Sequence, residues 1–256
     1  MKIIFLGTGT SHGVPVIGCK CKVCISRNSK NIRNRTSLYI EQSGTSIVID
    51  TPAEFRLATL KYKIRKVNVV LLTHCHSDHI AGLDDIRRYN EIQNKKIPVF
   101  GNEETLKEVK SRFAYIFKKT QEGGGKPKIV LKKIRPYFEF KVGKITILPM
   151  PVKHGSMEVI SYRIGNFVYM TDVSYIPPTT FNYLKNVDVL VLDALRKEKH
   201  PTHFNLHEAI EVAKKTGAKK VYFTHISHKL EHGATEKALP TNMRLAYDGL
   251  CKKICD

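Results

Sequence analysis

No stretch of this chain is apolar for long enough to cross a bilayer, which takes about 20 consecutive apolar residues as a helix. It also lacks a low-complexity tract and any composition break that would divide it, so it reads as a single domain over residues 1–256. The opening Met1–Gly7 has only four successive apolar residues, Ile3-Ile4-Phe5-Leu6, and no small-x-small cleavage site follows. A first β-strand is therefore expected there rather than a signal peptide, which places the protein in the cytoplasm with no membrane partner. Acidic residues are scarce: 23 Asp and Glu face 43 Lys and Arg, a formal charge of +20. That excess attracts anions, phosphates and nucleic acid above all. The lysines are scattered rather than gathered in one block, so a Lys-rich composition fits equally. Six cysteines are too few and too bunched for a disulfide framework, since Cys19, Cys21 and Cys24 cannot staple distant elements. Cys75 is expected to point into the core, and Cys251 and Cys255 to be ordinary residues.

Hydrophobic residues at 42% and charged residues at 26% are those of a globular protein long enough to bury a core. Period-two runs predict strands at Lys2–Leu6, Ser37–Ile40, Ser46–Asp50, Val67–Thr73 and Ile97–Phe100. Further strands are predicted at Phe138–Phe140, Lys144–Pro149, Ile160–Ile164, Phe167–Thr171, Val187–Asp193 and Lys220–Thr224. Helices are predicted at Ala53–Tyr62, Leu83–Asn94, Glu103–Phe117, Thr179–Leu184 and Leu206–Thr216. The last should start with a capping box, Asn205 and Glu208, and end at Gly217. Strand-rich halves separated by helices suggest two sheets face to face with helices outside, an α/β fold of the four-layer αββα kind. The lysine-rich stretch Lys118–Arg135, with Gly123-Gly124-Gly125, reads as a mobile loop.

The densest chemistry lies in His74-Cys75-His76-Ser77-Asp78-His79, three imidazoles and a carboxylate directly after the strand at Val67–Thr73. His74 and His76 should point the same way off a strand end, with Asp78 and His79 on the next turn. Two ions a few Å apart can then be held, and imidazole with carboxylate suits Zn, Mn or Fe. Other ligand types recur at predicted strand ends: His154, Asp172 and His225. Strand-end logic assigns His74, His76 and His154 to one ion and Asp78, His79 and His225 to the other, with Asp172 bridging. A two-metal site supplies a nucleophile at neutral pH and polarises the attacked centre. Cys19, Cys21 and Cys24 make most of a structural zinc knuckle over about residues 18–25, with His228 as the fourth ligand. The expected cofactors are thus two divalent ions, Zn or Mn, and one structural Zn. His12 and Asp50, near strand ends, are candidates for orienting ligands. Arg87, with Arg88, is a candidate phosphate contact because guanidinium binds phosphate in a bidentate fashion, though a solvated helix face is the favoured reading of the pair.

The pattern His74-x-His76-x-Asp78-His79, with later His, Asp and His, resembles the metallo-β-lactamase superfamily. Within it, Gly7-Thr8-Gly9-Thr10-Ser11-x-Gly13-Val14-Pro15 followed by Cys19-x-Cys21-x2-Cys24 resembles the PhnP-type phosphodiesterases. Thr224-His225-Ile226-Ser227-His228 and Ala246-Tyr247-Asp248-Gly249 extend the likeness over nearly the whole chain. The resemblance implies the αββα sandwich, zinc at the Cys3His site, and a dinuclear site, often manganese, hydrolysing cyclic phosphodiesters such as phosphoribosyl 1,2-cyclic phosphate. It also implies that His203 assists as acid or electrostatic stabiliser, with Asp78 in the catalytic centre; His200 and His207 have no such match and read as surface residues. The expected partner is a small anionic phosphodiester. Nucleic acid and a homodimer stay open, as do a nuclease or RNA-processing activity, thioester or lactone hydrolysis, and a zinc-stabilised binding module without turnover.

Overall fold

The computed structural model describes residues 1–119 and 125–254. Strands β1 (Lys2–Gly7), β2 (Ser37–Gln42), β3 (Thr45–Ile49), β4 (Val69–Leu71), β5 (Ile97–Gly101) and β6 (Ile129–Lys133) come first along the chain. Next are β7 (Phe140–Val142), β8 (Ile145–His154), β9 (Met157–Ile164) and β10 (Phe167–Tyr169). The last are β11 (Val189–Asp193), β12 (Lys220–Thr224), β13 (Met243–Leu245) and β14 (Cys251–Lys253). Helices are α1 (Phe55–Lys61), α2 (Ser77–Ile80), α3 (Ile86–Gln93), α4 (Glu103–Arg112), α5 (Ala114–Phe117), α6 (Pro178–Asn182), α7 (Leu206–Thr216) and α8 (His232–Ala238).

The strands form two seven-stranded sheets, ordered β14-β1-β2-β3-β4-β5-β6 and β13-β12-β11-β10-β9-β8-β7. Period two divides each strand between layers. Ile3 and Phe5 of β1 join a core with Ile47, Leu71, Tyr162 and Val191, drawn from both sheets, whereas Ile4 and Leu6 pack outward with Phe55, Ile86 and Val109 of α1, α3 and α4. The second sheet's outer face packs Val168, Leu190 and Phe223 under Ala209 and Ala213 of α7. Three apolar layers between four layers of secondary structure make the αββα sandwich. Among the described residues no helix is long and apolar enough to cross a membrane.

Helix α7 begins as its sequence requires. The Asn205 carboxamide oxygen accepts from the Glu208 N–H at 2.8 Å, the Glu208 carboxylate from the Asn205 N–H at 3.0 Å, and Gly217 closes the helix at φ 66°. The Gly7-Thr8-Gly9 motif serves close backbone approach: a Cβ at Gly7 would lie 1.9 Å from the Arg35 carbonyl oxygen. Elsewhere the elements differ from expectation. Part of the Lys118–Arg135 loop is strand β6, paired in parallel with β5; its apolar trio Ile129-Val130-Leu131 is short and hidden among lysines. Residues 120–124, including Gly123 and Gly124, lie outside the described residues, as does Cys255. The helix expected over Glu103–Phe117 breaks at Phe113, and β8 and β9 form a longer hairpin than expected, carrying His154 on its last residue. Strands β13 and β14 have three residues each, below the length at which alternation is readable.

A buried charge network ties the first loop to the C-terminal strands. The Arg33 guanidinium donates to Thr8 Oγ1 (2.7 Å), to the Ala246 carbonyl (2.6 Å) and to His232 Nδ1 (3.0 Å). Asp248 accepts the Thr8 hydroxyl at 2.8 Å and the Asn34 N–H at 2.6 Å. Burial pushes the Asp248 carboxyl up to about 6, while burial and the Arg33 charge push His232 down from 6.5 to about 4. The folded state thus refuses a proton at His232 that the unfolded chain takes up below pH 6.5, so this contribution to stability is full above 6.5 and is lost as pH falls towards 4. Asp248 has the opposite sign, because its fold keeps a proton the unfolded carboxyl has released. Replacing His232→Gln removes only the first effect. The wild-type advantage in urea unfolding over this variant is expected to grow as pH rises from 4 to 6.5, with a slope of at most about 1.4 kcal/mol per pH unit for one proton. A pH-independent difference would show that His232 does not titrate in this window.

Candidate metal centre

The sheets converge on one rim where strand ends present ligand-type residues. His74 follows β4, Asp78 and His79 ride on the single turn of α2, and His154 ends β8; Asp172 follows β10, and His225 follows β12. His74, His79, His154, Asp172 and His225 are buried, His76 and Asp78 partly so. One atom from each of His74, His76 and His154 lies within 4.8 Å of the others, and the same holds for Asp78, His79 and His225. Asp172 lies between the sets, its Oδ1 3.3 Å from His225 Nε2 and 4.0 Å from His74 Nε2, its Oδ2 3.4 Å from His79 Nε2. The seven candidate residues therefore lie in one cluster; further groupings join His74 with His79 and Asp172, and His154 with Asp172 and His203.

Three ligand tautomers are set from behind. Asp50 Oδ2 accepts from His79 Nδ1 at 2.7 Å, the Thr202 carbonyl accepts from His154 Nδ1 at 2.7 Å, and Thr73 Oγ1 lies 3.0 Å from His74 Nδ1. Each ring is left with Nε2 facing the cluster, the arrangement by which outer partners fix metal-binding imidazoles. Asp50 is held in turn by the Thr73 N–H and hydroxyl, both at 2.8 Å. Asp50, Asp172 and His225 all adopt left-handed backbone, φ 61°, 56° and 58°. Non-glycine residues there are costly, and such strain gathers at functional sites.

The cluster is short of positive charge. Burial opposes the His79 imidazolium, yet Asp172, Asp78 and Asp50 outweigh it and hold the ring well above its ordinary value. His225 is raised to about 9 against the same burial, chiefly by Asp172. Burial likewise disfavours charge on Asp172, but the neighbouring His225 and His79 pull it well below the carboxylate range. His79 Nε2 and His225 Nε2 are buried without a hydrogen-bond partner. Buried nitrogens facing two carboxylates without a bridging donor fit cations between them. His74, His76 and His154 fit one ion, Asp78, His79 and His225 a second, and Asp172 both.

The other cluster also fits its metal. His228 Nδ1 lies 3.3, 3.4 and 3.5 Å from the sulfurs of Cys19, Cys21 and Cys24. Zn–S and Zn–N bonds of about 2.3 and 2.0 Å put that edge of a tetrahedron at about 3.5 Å. Without a cation the thiols titrate apart: a backbone hydrogen bond from Cys24 leads in lowering Cys21 to about 6, while burial leads in raising Cys24 to about 11. Cys21→Ser should therefore lower stability by several kcal/mol, since structural zinc supplies folding energy, with a smaller effect on the chemical step. A mild chelator should strip the His and Asp cluster first and leave the thiolate-bound zinc. Fully active protein holding only one equivalent of metal would contradict both expectations.

His203 lies just outside the seven. Its ring centroid is 4.5 Å from that of His154 and 4.7 Å from that of His225, and its Nδ1 is 2.8 Å from Asp193 Oδ2. Asp193, the last residue of β11, is fully buried, takes the Val173 N–H at 3.0 Å, and turns Oδ1 towards His225 Nδ1 at 3.7 Å. The sequence showed Asp193 only as a carboxylate at a strand end, with no motif around it. His200 lies in a loop, partly buried, with its ring 5.1 Å from that of His203; His207 is exposed on α7. Arg87 lies on a part-exposed helix face, the reading favoured from the sequence. It pairs with Asp84 at 3.4 Å and lines a groove between α1 and α3, and the exposed Arg88 pairs with Glu91 at 2.6 Å. Helix α3 turns that face away from the metal cluster because Ile86 and Tyr89 take the core side. His12 is exposed and joins His203 in lining a cavity, while Cys75 is buried as expected and Cys251 is exposed on β14.

The profile of the Beta-lactamase superfamily domain matches residues 45–226, which contain all seven ligand candidates. The chain belongs to the β-lactamase superfamily. Within the superfamily it stands with the PhnP family: the crystal structure of a diphosphatase of that family is 38% identical and superposes with a TM-score of 0.92, covering 98% of this chain and 96% of the other. A protein named Octanoyltransferase from Porphyromonas gingivalis is 34% identical over 253 residues, 98% of this chain but 51% of its own length. The chain thus spans about half of that relative. The zinc-bound PqqB of Methylobacterium extorquens shares the fold, with a TM-score of 0.81 at 16% identity, over 99% of this chain and all of that one. Membership places the chain among metallo-hydrolases, and its His and Asp cluster could hold a metal.

Proposed function

We propose that this β-lactamase-superfamily member is a dinuclear metal-dependent phosphodiesterase acting on a small phosphodiester. The observation that carries the reading is the Asp193–His203 pair on the edge of the ligand cluster. Asp193 Oδ2 accepts from His203 Nδ1, so the opposite nitrogen can carry a proton to a leaving oxygen. Two divalent ions, when bound, supply a nucleophile at neutral pH and Lewis acidity at phosphorus. The protein's own part is to hold that centre dry on buried His74, His79, Asp172 and His225, and to position His203 through a fully buried carboxylate. The cavity beside His203, about 400 Å³, is sized for a small substrate, and its aliphatic lining is limited to Val16 and Leu195. The test is turnover by metal-loaded protein of bis-p-nitrophenyl phosphate, nucleoside 2′,3′-cyclic phosphates, short RNA and a thioester. Cleavage of the small diesters is expected; hydrolysis of the thioester alone would overturn the reading.

A further inference from the structure

We propose that the cavity at the open edge of the sandwich, between β13 and β14, is a nucleotide-binding site separate from the metal centre. Strands β13 and β14 each end a sheet, and the cavity between them, about 510 Å³, is lined from both, from β12 and from α8. Lys220 opens β12 at this cavity, whereas His225 follows the other end of the same strand. The rise of an extended chain puts about 17 Å between the two. A molecule held here is therefore not the group attacked at the metals.

Two buried side chains bring donors without partners to this cavity. His232, 3% exposed, takes a hydrogen bond at Nδ1 from the Arg33 guanidinium, which can only donate. Its ring proton is thereby placed on Nε2, and that N–H has no hydrogen-bond partner among the described residues. Tyr222, 6% exposed, packs its ring on Phe5 with centroids 6.0 Å apart, and its hydroxyl also has no partner among the described residues. Buried donors are almost always satisfied, and the cavity that both residues line is the space in which a ligand can satisfy these two.

The charge around them selects the ligand. Five cations line the cavity, Lys30, Lys219, Lys220, Arg244 and Lys252, against one carboxylate, Glu236. Glu236 is already engaged: Oε1 lies 3.3 Å from Arg244 Nε, and Oε2 accepts the Leu245 N–H at 2.7 Å. Lys219 is paired with Asp188 at 2.6 Å. Lys220 and Lys252 have no carboxylate partner among the described residues, and Lys30 lies 4.7 Å over the ring of Tyr247. Neutral donors on buried residues with exposed ammonium groups around them suit an acceptor-only dianion, a phosphate monoester. Tyr247 is partly buried and stands edge-on to His232, with centroids 5.8 Å apart. Its ring offers a surface on which a base can stack once Lys30 swings from the ring to the phosphate. A base and a phosphate monoester together are a nucleotide, free or at the phosphorylated end of a strand.

The experiment is calorimetric titration of metal-loaded protein with adenosine 5′-monophosphate, adenosine, inorganic phosphate and a 5′-phosphorylated single-stranded oligonucleotide. The mononucleotide should bind about tenfold or more tightly than adenosine or inorganic phosphate, since each lacks one of the two recognised parts. Tyr222→Phe keeps the ring against Phe5 and should weaken the mononucleotide roughly tenfold, the scale of one hydrogen bond to a charged group. Lys220→Gln with Lys252→Gln should weaken it at least as much. Lys219→Gln removes a charge that Asp188 already holds, and should leave affinity within about twofold, as for an exposed ion pair. None of these positions touches the metal cluster, so a mononucleotide held only at the metals would bind all the variants alike. Equal affinity in wild type, Tyr222→Phe and the double variant would overturn the site, as would a loss in Lys219→Gln equal to theirs. Adenosine or inorganic phosphate binding as tightly as the mononucleotide would overturn it too. Either order between mononucleotide and oligonucleotide supports the site: tighter binding of the oligonucleotide names a strand end as the source, weaker or equal binding a free nucleotide.

Discussion

His203→Ala is expected to cut turnover of an unactivated cyclic phosphodiester by roughly 10²–10⁴-fold, the range for a positioned general acid, while the protein keeps its full complement of metal. The two parts of the result follow from different contacts. The ring is fastened to Asp193 on one side, so its removal leaves an alkoxide to depart without a proton. The seven cluster residues stay in place without it. The loss should shrink on p-nitrophenyl esters, whose leaving group needs little protonation. Asp193→Asn should share the trend in milder form, because the amide can still touch His203 Nδ1 but stabilises its charged form less. Metal analysis beside turnover decides the matter: an emptied site in His203→Ala, or full activity on the cyclic diester, would remove His203 from the role of acid.

Asp172→Ala should behave in the opposite manner, losing catalytic metal together with activity. Among the described residues, the two oxygens of Asp172 reach Nε2 atoms of both proposed ligand sets, His74 on one side and His79 and His225 on the other. Losing it removes the shared negative charge and leaves three imidazoles facing one another. The fall should exceed the 10–100-fold typical when only an outer partner of a ligand is changed. The left-handed backbone at Asp172, φ 56°, adds a conformational cost for alanine. The thiolate-bound zinc should be retained. A variant with normal metal content in the His and Asp cluster would show that Asp172 does not bridge.

The most legible part of this protein was its densest chemistry. His74 to His79 and the three neighbouring cysteines declare themselves because ligand residues at short spacing are rare by chance, and strand ends are where open sheets place sites. The sandwich was legible for a related reason, since β1 and β2 alternate cleanly between two buried faces. Other parts depended on distant packing. Asp193 looks like any acid at a strand end until the fold brings it to His203. His200 looks like a loop residue until the chain curls it back towards the same ring. Strand β6 failed to stand out because its lysines serve an edge, where charge discourages pairing with another chain.

The clasp between Cys19 and His228 joins positions 209 residues apart. Three of its four candidate ligands lie within six residues, so zinc, if that is the ion this cluster takes, would be captured on the thiolates of a nascent or unfolded chain long before His228 exists or arrives. Such an ion would act as a half-made cross-link that docking of β12 completes. Closing so long a loop restricts the disordered ensemble more than a local knuckle would, although the benefit grows only as the logarithm of loop length. Zinc bound there would then bear on the timing of folding as well as on the final fold, since the last candidate ligand to engage sits three residues beyond His225 of the His and Asp cluster.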